Sequence, residues 1–145
     1  MRIAIGSDHA GFQLKSAVRQ HLESRALAVV DLGTHAAERC DYPDHGAAVA
    51  RAVAAGEADL GVLVCGTGVG MAMAANKIPG VRAAVVSDTF SARSTRQHND
   101  CNVLCIGERV VGGGLALDIV DAWLGAAFEG GRHAARVAKL DALLP

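Results

Sequence analysis

The sequence predicts an α/β fold: a three-layer α/β/α, Rossmann-like arrangement in which a doubly wound, five-stranded parallel sheet is followed by a C-terminal helix. Three observations predict it. Short apolar runs rich in branched residues, such as Leu60 to Val64, read as buried parallel strands. They alternate with longer stretches whose apolar residues recur at helical spacing, which puts helices on both faces of the sheet. Right-handed crossovers then wind it in both directions. The composition agrees: 51% hydrophobic but only 3% aromatic, with 17 glycines, which suits close helix–sheet packing. A chain of 145 residues is long enough for one domain, 1–145, with its own core.

The elements follow in order. Arg2 to Gly6 is the first strand, and Ser7 to Gly11 is a turn in which Ser7 or Asp8 can cap the next helix. Phe12, Leu14, Val18 and Leu22 carry that helix to about Arg25. Ala28 to Leu32 is the second strand, and a polar loop leads to Asp41-Tyr42-Pro43-Asp44. Pro43 suits the first turn of a helix running to about Ala55. After the third strand and its helix, Ile78-Pro79-Gly80 is a stop and Val81 to Val86 is the fourth strand. Ser87-Asp88-Thr89 caps a helix reaching about Gln97, and His98-Asn99-Asp100 is a polar corner. Cys101 to Gly107 contains the fifth strand. Gly112-Gly113-Gly114, richer in glycine than a helix start needs, leads into a helix from about Leu115 to Leu124. A final helix covers about 132–143. The order of the last two strands is left open.

Charge and composition exclude several functions. The net charge of −1 gives no nucleic-acid footprint and no attraction to an anionic membrane. No apolar run approaches the roughly 20 residues that span a bilayer, and Met1 leads directly into a strand. The expectation is a cytoplasmic protein. Cys40, Cys65, Cys101 and Cys105 show no CxxC spacing and are expected to be free. No histidine or cysteine spacing fits a zinc site, so no metal is expected.

Chemistry concentrates in Cys65-Gly66-Thr67-Gly68-Val69-Gly70, where the third strand meets its helix. Alternate glycines let a ligand approach the backbone, and free amides at a helix N-terminus favour negative charge. The loop fits neither a dinucleotide fingerprint, since Met71 stands where the third glycine is needed, nor a Walker loop, which needs Lys then Ser or Thr. Its distinguishing groups are a thiol, Cys65, and a hydroxyl, Thr67. A cysteine at a strand end beside a helix N-terminus can serve as an acid–base group; the alternative is a small buried hydrophobe. Thr67 is either a donor to a developing oxyanion or an ordinary cap. In a sheet wound both ways, ligands bind where the winding reverses. If strands one and three flank that reversal, Asp8 and His9 meet Cys65 in one crevice. His98 suits a proton shuttle. Arg132 and Arg136, one helical turn apart, form either a phosphate clamp or a solvated cluster, with Arg109 a further candidate. His45, Arg93 and Arg96 are expected on solvated helix faces, and Asp118 and Asp121 to serve solubility.

These stretches, together with Gly6-Ser7-Asp8-His9-Ala10-Gly11, Asp41-Tyr42-Pro43, Ala74-Ala75-Asn76-Lys77, Arg96-Gln97-His98-Asn99-Asp100 and Glu129-Gly130-Gly131-Arg132-His133, closely resemble the type B ribose-5-phosphate isomerases. That family also includes allose-6-phosphate and galactose-6-phosphate isomerases. The resemblance covers nearly the whole chain. It implies cofactor-free interconversion of D-ribose 5-phosphate and D-ribulose 5-phosphate through an enediol, a step of the non-oxidative pentose phosphate pathway. Cys65 would move the proton between C1 and C2, and Thr67 with the amides of Gly66, Gly68, Val69 and Gly70 would hold the enediolate oxygen. His98, with Asp8, would assist ring opening. His9, Arg132, Arg136 and Arg109 would hold the phosphate, and Tyr42 and Asn99 the sugar hydroxyls. The resemblance further implies homodimers, sometimes paired into tetramers, with His98, Asn99 and Arg109 reaching a neighbour's pocket and the C-terminal helix packing on the partner. One branch of the family replaces the thiol by serine and places a glutamate where Met71 stands; this chain resembles the cysteine branch.

Overall fold

The structure, a computed structural model, describes residues 1–143. Among them the chain forms β1 (Arg2–Ser7), a 3-10 turn (His9–Gly11), α1 (Phe12–Ser24), β2 (Ala28–Asp31), α2 (Tyr42–Ala54), β3 (Leu60–Cys65), α3 (Val69–Ala75), β4 (Ala83–Val85), α4 (Thr89–Asn99), β5 (Val103–Gly107), α5 (Gly113–Leu124) and α6 (Arg132–Asp141). All strand pairs are parallel and the order is β2-β1-β3-β5-β4. The expected three layers and doubly wound sheet are present.

Successive side chains of a strand face opposite ways, and the sequence uses both faces. Ile3 and Ile5, Val62 and Val64, and Leu104 and Ile106 point into a cluster with α1, α4 and α5, closed by Val18, Leu22, Ile119 and Trp123. Ala4, Leu63, Cys65, Val103 and Cys105 point the other way, onto Val49, Val53, Met71 and Ala75 of α2 and α3. Cys65 therefore belongs to the α2/α3 side. Small residues let that layer approach: a side-chain carbon on Gly61 would stand 2.8 Å from Val49.

The order left open by the sequence resolves with β5 inside and β4 at the edge. Every residue of β5 is buried, as a strand covered on both sides and both edges must be. By contrast β4 is three small residues, partly exposed. Asn76 supports it from beyond α3, donating to the Ala83 carbonyl oxygen at 2.9 Å and accepting from the Ala83 amide at 2.8 Å.

Several expectations are corrected. His98 and Asn99 belong to the last turn of α4, because Asp100 takes the left-handed conformation that ends it (φ 46°). The helix after the glycine triplet begins at Gly113, with Gly112 as its cap, and α6 stops at Asp141. The fourth strand is Ala83–Val85, shorter than Val81 to Val86. Arg96 is not solvated: it lies over the buried Trp123 ring and donates to Asp100 and to the Cys101 carbonyl oxygen. Asp121 does more than aid solubility, bridging α5 to α1 through His21 and Arg25. His45 turns inward against Gly33, its Nδ1 lying 3.3 Å from the Leu32 carbonyl oxygen.

Candidate active site

The carboxyl ends of β1 and β3, adjacent in the sheet, open into a cleft of about 300 Å³. Asp8, His9 and Ala10 line one wall, Cys65, Gly66, Thr67 and Gly70 another, with Tyr42 and Arg109 across the mouth. This is the reversal of winding expected to hold a ligand.

Asp8 follows β1 and caps the turn, its Oδ1 accepting from the amides of Ala10 at 2.9 Å and Gly11 at 3.1 Å. Gly11 lets this turn lie on β3: an added side-chain carbon would stand 2.6 Å from the Val64 carbonyl atoms and 2.8 Å from the Cys65 nitrogen. On the far side, Gly107 packs equally closely on the Thr67 backbone. The thiol loop is thus held between two glycines of neighbouring elements.

Within the loop, Gly68 has φ 79°, a conformation that disfavours any side chain. That turn aims the Gly68 amide back at the Cys65 sulfur, 3.0 Å away. Cys65 is only 5% exposed, and that exposure is to the cleft. The Thr67 hydroxyl oxygen accepts from the Val69 amide at 3.3 Å, which leaves its proton free to donate. Tyr42 lies on Gly70, where a side-chain carbon would stand 2.9–3.0 Å from its ring. Met71, fully buried behind the loop, carries no group that transfers a proton.

The segment after β5 locks the loop from behind. The Glu108 amide donates to the Cys65 carbonyl oxygen at 2.9 Å and the Arg109 amide to the Gly66 carbonyl oxygen at 3.1 Å. The Glu108 carboxylate accepts from the Leu14 amide at 2.9 Å, tying α1 to the same place. Glu108 was not singled out by sequence reasoning; its only signal was a carboxylate directly after a buried strand. Arg109 lines the cleft of its own chain, beside Gly66.

His98, Asn99, Arg132 and Arg136 do not line this cleft. They sit on α4 and α6, where His98 and the buried His133 stack with ring centroids 4.4 Å apart and planes 9° from parallel. Glu129 lies 3.9 Å from His98 and 3.8 Å from His133. The three side chains have the donor types of a metal site, with ligand atoms within 4.8 Å. Parallel stacking works against that use, because an ion in the plane of one ring is out of the plane of the other. Burial pushes the His133 imidazole down, the charges of His98, Arg132 and Arg136 add to this, and Glu129 opposes it.

A larger cavity of about 390 Å³ lies between β4 and the end of α6. Its thiol, Cys101, donates to the Val103 carbonyl oxygen, and burial pushes its pKa up, so it offers no ready base. Cys105 is buried and pushed up further. The four cysteines are unpaired.

The thiol, loop and turn occur in a chain whose residues 3–140 match the ribose/galactose isomerase family. The chain belongs to that family. Ribose-5-phosphate isomerase B of Escherichia coli (strain K12) is 56% identical over 142 residues, covering 98% of this chain and 95% of that one. Among solved structures, ribose-5-phosphate isomerase B of Clostridium thermocellum superposes with a TM-score of 0.98 at 55% identity, covering 99% of this chain and 97% of that one. Ribose-5-phosphate isomerase B of Mycoplasma genitalium, solved with bound ribulose-5-phosphate, gives 0.94 at 45% identity over 98% and 95%. In this chain Cys65 is the last residue of β3, an inner strand of a sheet whose pairs are all parallel.

Proposed function

We propose that this isomerase interconverts D-ribose 5-phosphate and D-ribulose 5-phosphate, moving a proton between C1 and C2 through an enediolate. One observation carries the reading: a thiol held by a loop amide opens into a cleft beside Asp8 and His9, in a chain 56% identical to a ribose-5-phosphate isomerase B.

The roles follow from the chemistry. Cys65 removes the C2 proton of the open-chain aldose and returns it to C1. A positioned base contributes about 10²–10⁴-fold to such a step. The charge that develops goes to the oxygen, and Thr67 with the amides of residues 66–70 stabilises it there. The sugar binds as a furanose, so His98, with Asp8, moves the protons that open the ring. His9, Arg109, Arg132 and Arg136 hold the phosphate, whose binding energy positions the reacting carbons. Tyr42 and Asn99 contact hydroxyls.

Since α4 and α6 lie away from the thiol cleft, these roles require a second copy of the chain. A homodimer, or a pair of dimers, brings His98 and Asn99 of one subunit to the Cys65 cleft of the other. Apolar side chains left exposed near β4 and the loop helix, Phe90 at 72% and Met73 at 64%, support such an interface. The four unpaired cysteines support a reducing, cytoplasmic location.

Two measurements test this. A coupled assay gives kcat/KM for ribose 5-phosphate well above that for allose 6-phosphate; a preference for the hexose overturns the substrate. Arg136→Ala raises KM for ribose 5-phosphate by about tenfold or more, as expected for a lost charge-assisted contact, with kcat little changed. An unaltered KM removes Arg136 from the phosphate site.

A further inference from the structure

The buried face of α1 carries a cation. Lys15 falls at helical spacing with Phe12, Val18 and Leu22 and is 1% exposed. Its ammonium donates to both carboxylate oxygens of Asp31, at 2.7 and 2.8 Å, and to the Thr34 carbonyl oxygen at 2.6 Å. These bonds use all three of its protons. Burial raises the Asp31 carboxyl, but the Lys15 bond, the Gly33 amide and the Lys15 charge outweigh it and leave it below the usual range. A buried ion pair adds little net stability over a well-packed apolar pair. What it does supply is fixed geometry.

That geometry fixes the segment after β2. The Gly33 amide donates to Asp31 Oδ1 at 3.0 Å. The Ser7 amide donates to the Gly33 carbonyl oxygen at 2.6 Å, and the Thr34 amide to the Ser7 carbonyl oxygen at 2.7 Å. The segment is thereby fastened to the end of β1, next to Asp8 and His9. It continues through a turn in which the Ala36 amide donates to the Thr34 hydroxyl at 3.4 Å. Further on, the Cys40 amide donates to His9 Nδ1 at 3.3 Å. A ring nitrogen that accepts a hydrogen bond carries no proton, so the neutral His9 ring has its proton on Nε2.

We propose that Lys15 and Asp31 are positioning residues for His9. By fastening the segment that begins at Gly33, they hold the Cys40 amide on Nδ1 and present the Nε2 proton as a donor to an anionic oxygen in the cleft. Neither residue lines the cleft, so both act through His9. The inference rests on the reading of His9 as a phosphate contact.

The test uses the double variant Lys15→Met/Asp31→Leu, which removes both charges together and leaves no lone ion buried. Ring-nitrogen NMR of His9 is expected to report the Nε2–H tautomer alone in the wild type and both tautomers in the variant. KM for ribose 5-phosphate is expected to rise about tenfold with kcat within about twofold, the pattern of a lost binding contact. A wild-type ring protonated on Nδ1 overturns the proposal without any variant. An unchanged tautomer and KM in a folded double variant overturn it too. His9→Ala separates the two readings: if its KM stays at the wild-type value, the phosphate role of His9 fails, while the ring spectrum still judges the Lys15–Asp31 clamp.

Discussion

Cys65→Ala should lower kcat for ribose 5-phosphate by about three orders of magnitude, the scale of removing a positioned acid–base group. The variant should still fold. Its side chain faces a cluster of alanine, valine and methionine, so alanine fits the site chemically, and the volume lost is a single sulfur. The loss from the fold is one weak bond, the Gly68 amide to sulfur, worth on the order of 1 kcal/mol. A coupled assay with a thermal melt separates the two effects. Substrate affinity measured by calorimetry should change by only a few fold, because the phosphate contacts remain. Turnover close to wild type in a folded Cys65→Ala protein would remove the thiol from the chemistry. Cys40, Cys101 and Cys105 provide the contrast, since none lines the thiol cleft.

Gly11→Ala carries the second-largest effect. The added carbon meets the main chain of Val64 and Cys65 at 2.6–2.8 Å, where no rotamer change can relieve the clash. The turn holding Asp8 and His9 must move off β3. Such overpacking costs about 1–3 kcal/mol of stability. The misplaced turn should lower kcat/KM by about 100-fold, since small displacements of positioned groups are expensive. Gly113→Ala is the control. Its added carbon meets nothing, it lies at the start of α5, and it should leave activity unchanged while stabilising by about 0.4–1 kcal/mol. Equal effects of the two substitutions would show that the contact of the turn with β3 is unimportant.

Much of this was legible in the chain itself. Strand and helix alternation is a local pattern, so the fold class, most element positions and the thiol loop follow from residue spacing. Boundaries were less legible. Asp100 ends α4 by adopting a left-handed conformation, which its residue type tolerates but does not require, so His98 and Asn99 read as a corner when they are helix. The edge position of β4 was readable in part: Ala83-Ala84-Val85 offers too little bulk for a strand covered on all sides, whereas Val103-Leu104-Cys105-Ile106 does not. Lys15 also left a signal, a cation on the apolar face of α1, but its partners at Asp31 and Thr34 lie beyond the reach of helical periodicity. Arg96 was misread for the same reason. A charged residue on a helix looks solvated until the ring it covers, Trp123, is brought from another helix.

By itself the sequence determined the strand–loop–helix unit around Cys65, because chain direction and glycine placement act over a few residues. Tertiary structure alone decided that β1 and β3 pair side by side, the condition on which Asp8 and His9 reach Cys65 across more than 50 residues of chain. It also decided that Arg109 faces its own cleft while His98 and Arg136 do not. Distances between residues far apart in the chain are set by packing of the whole sheet and its helices, and no local pattern encodes them.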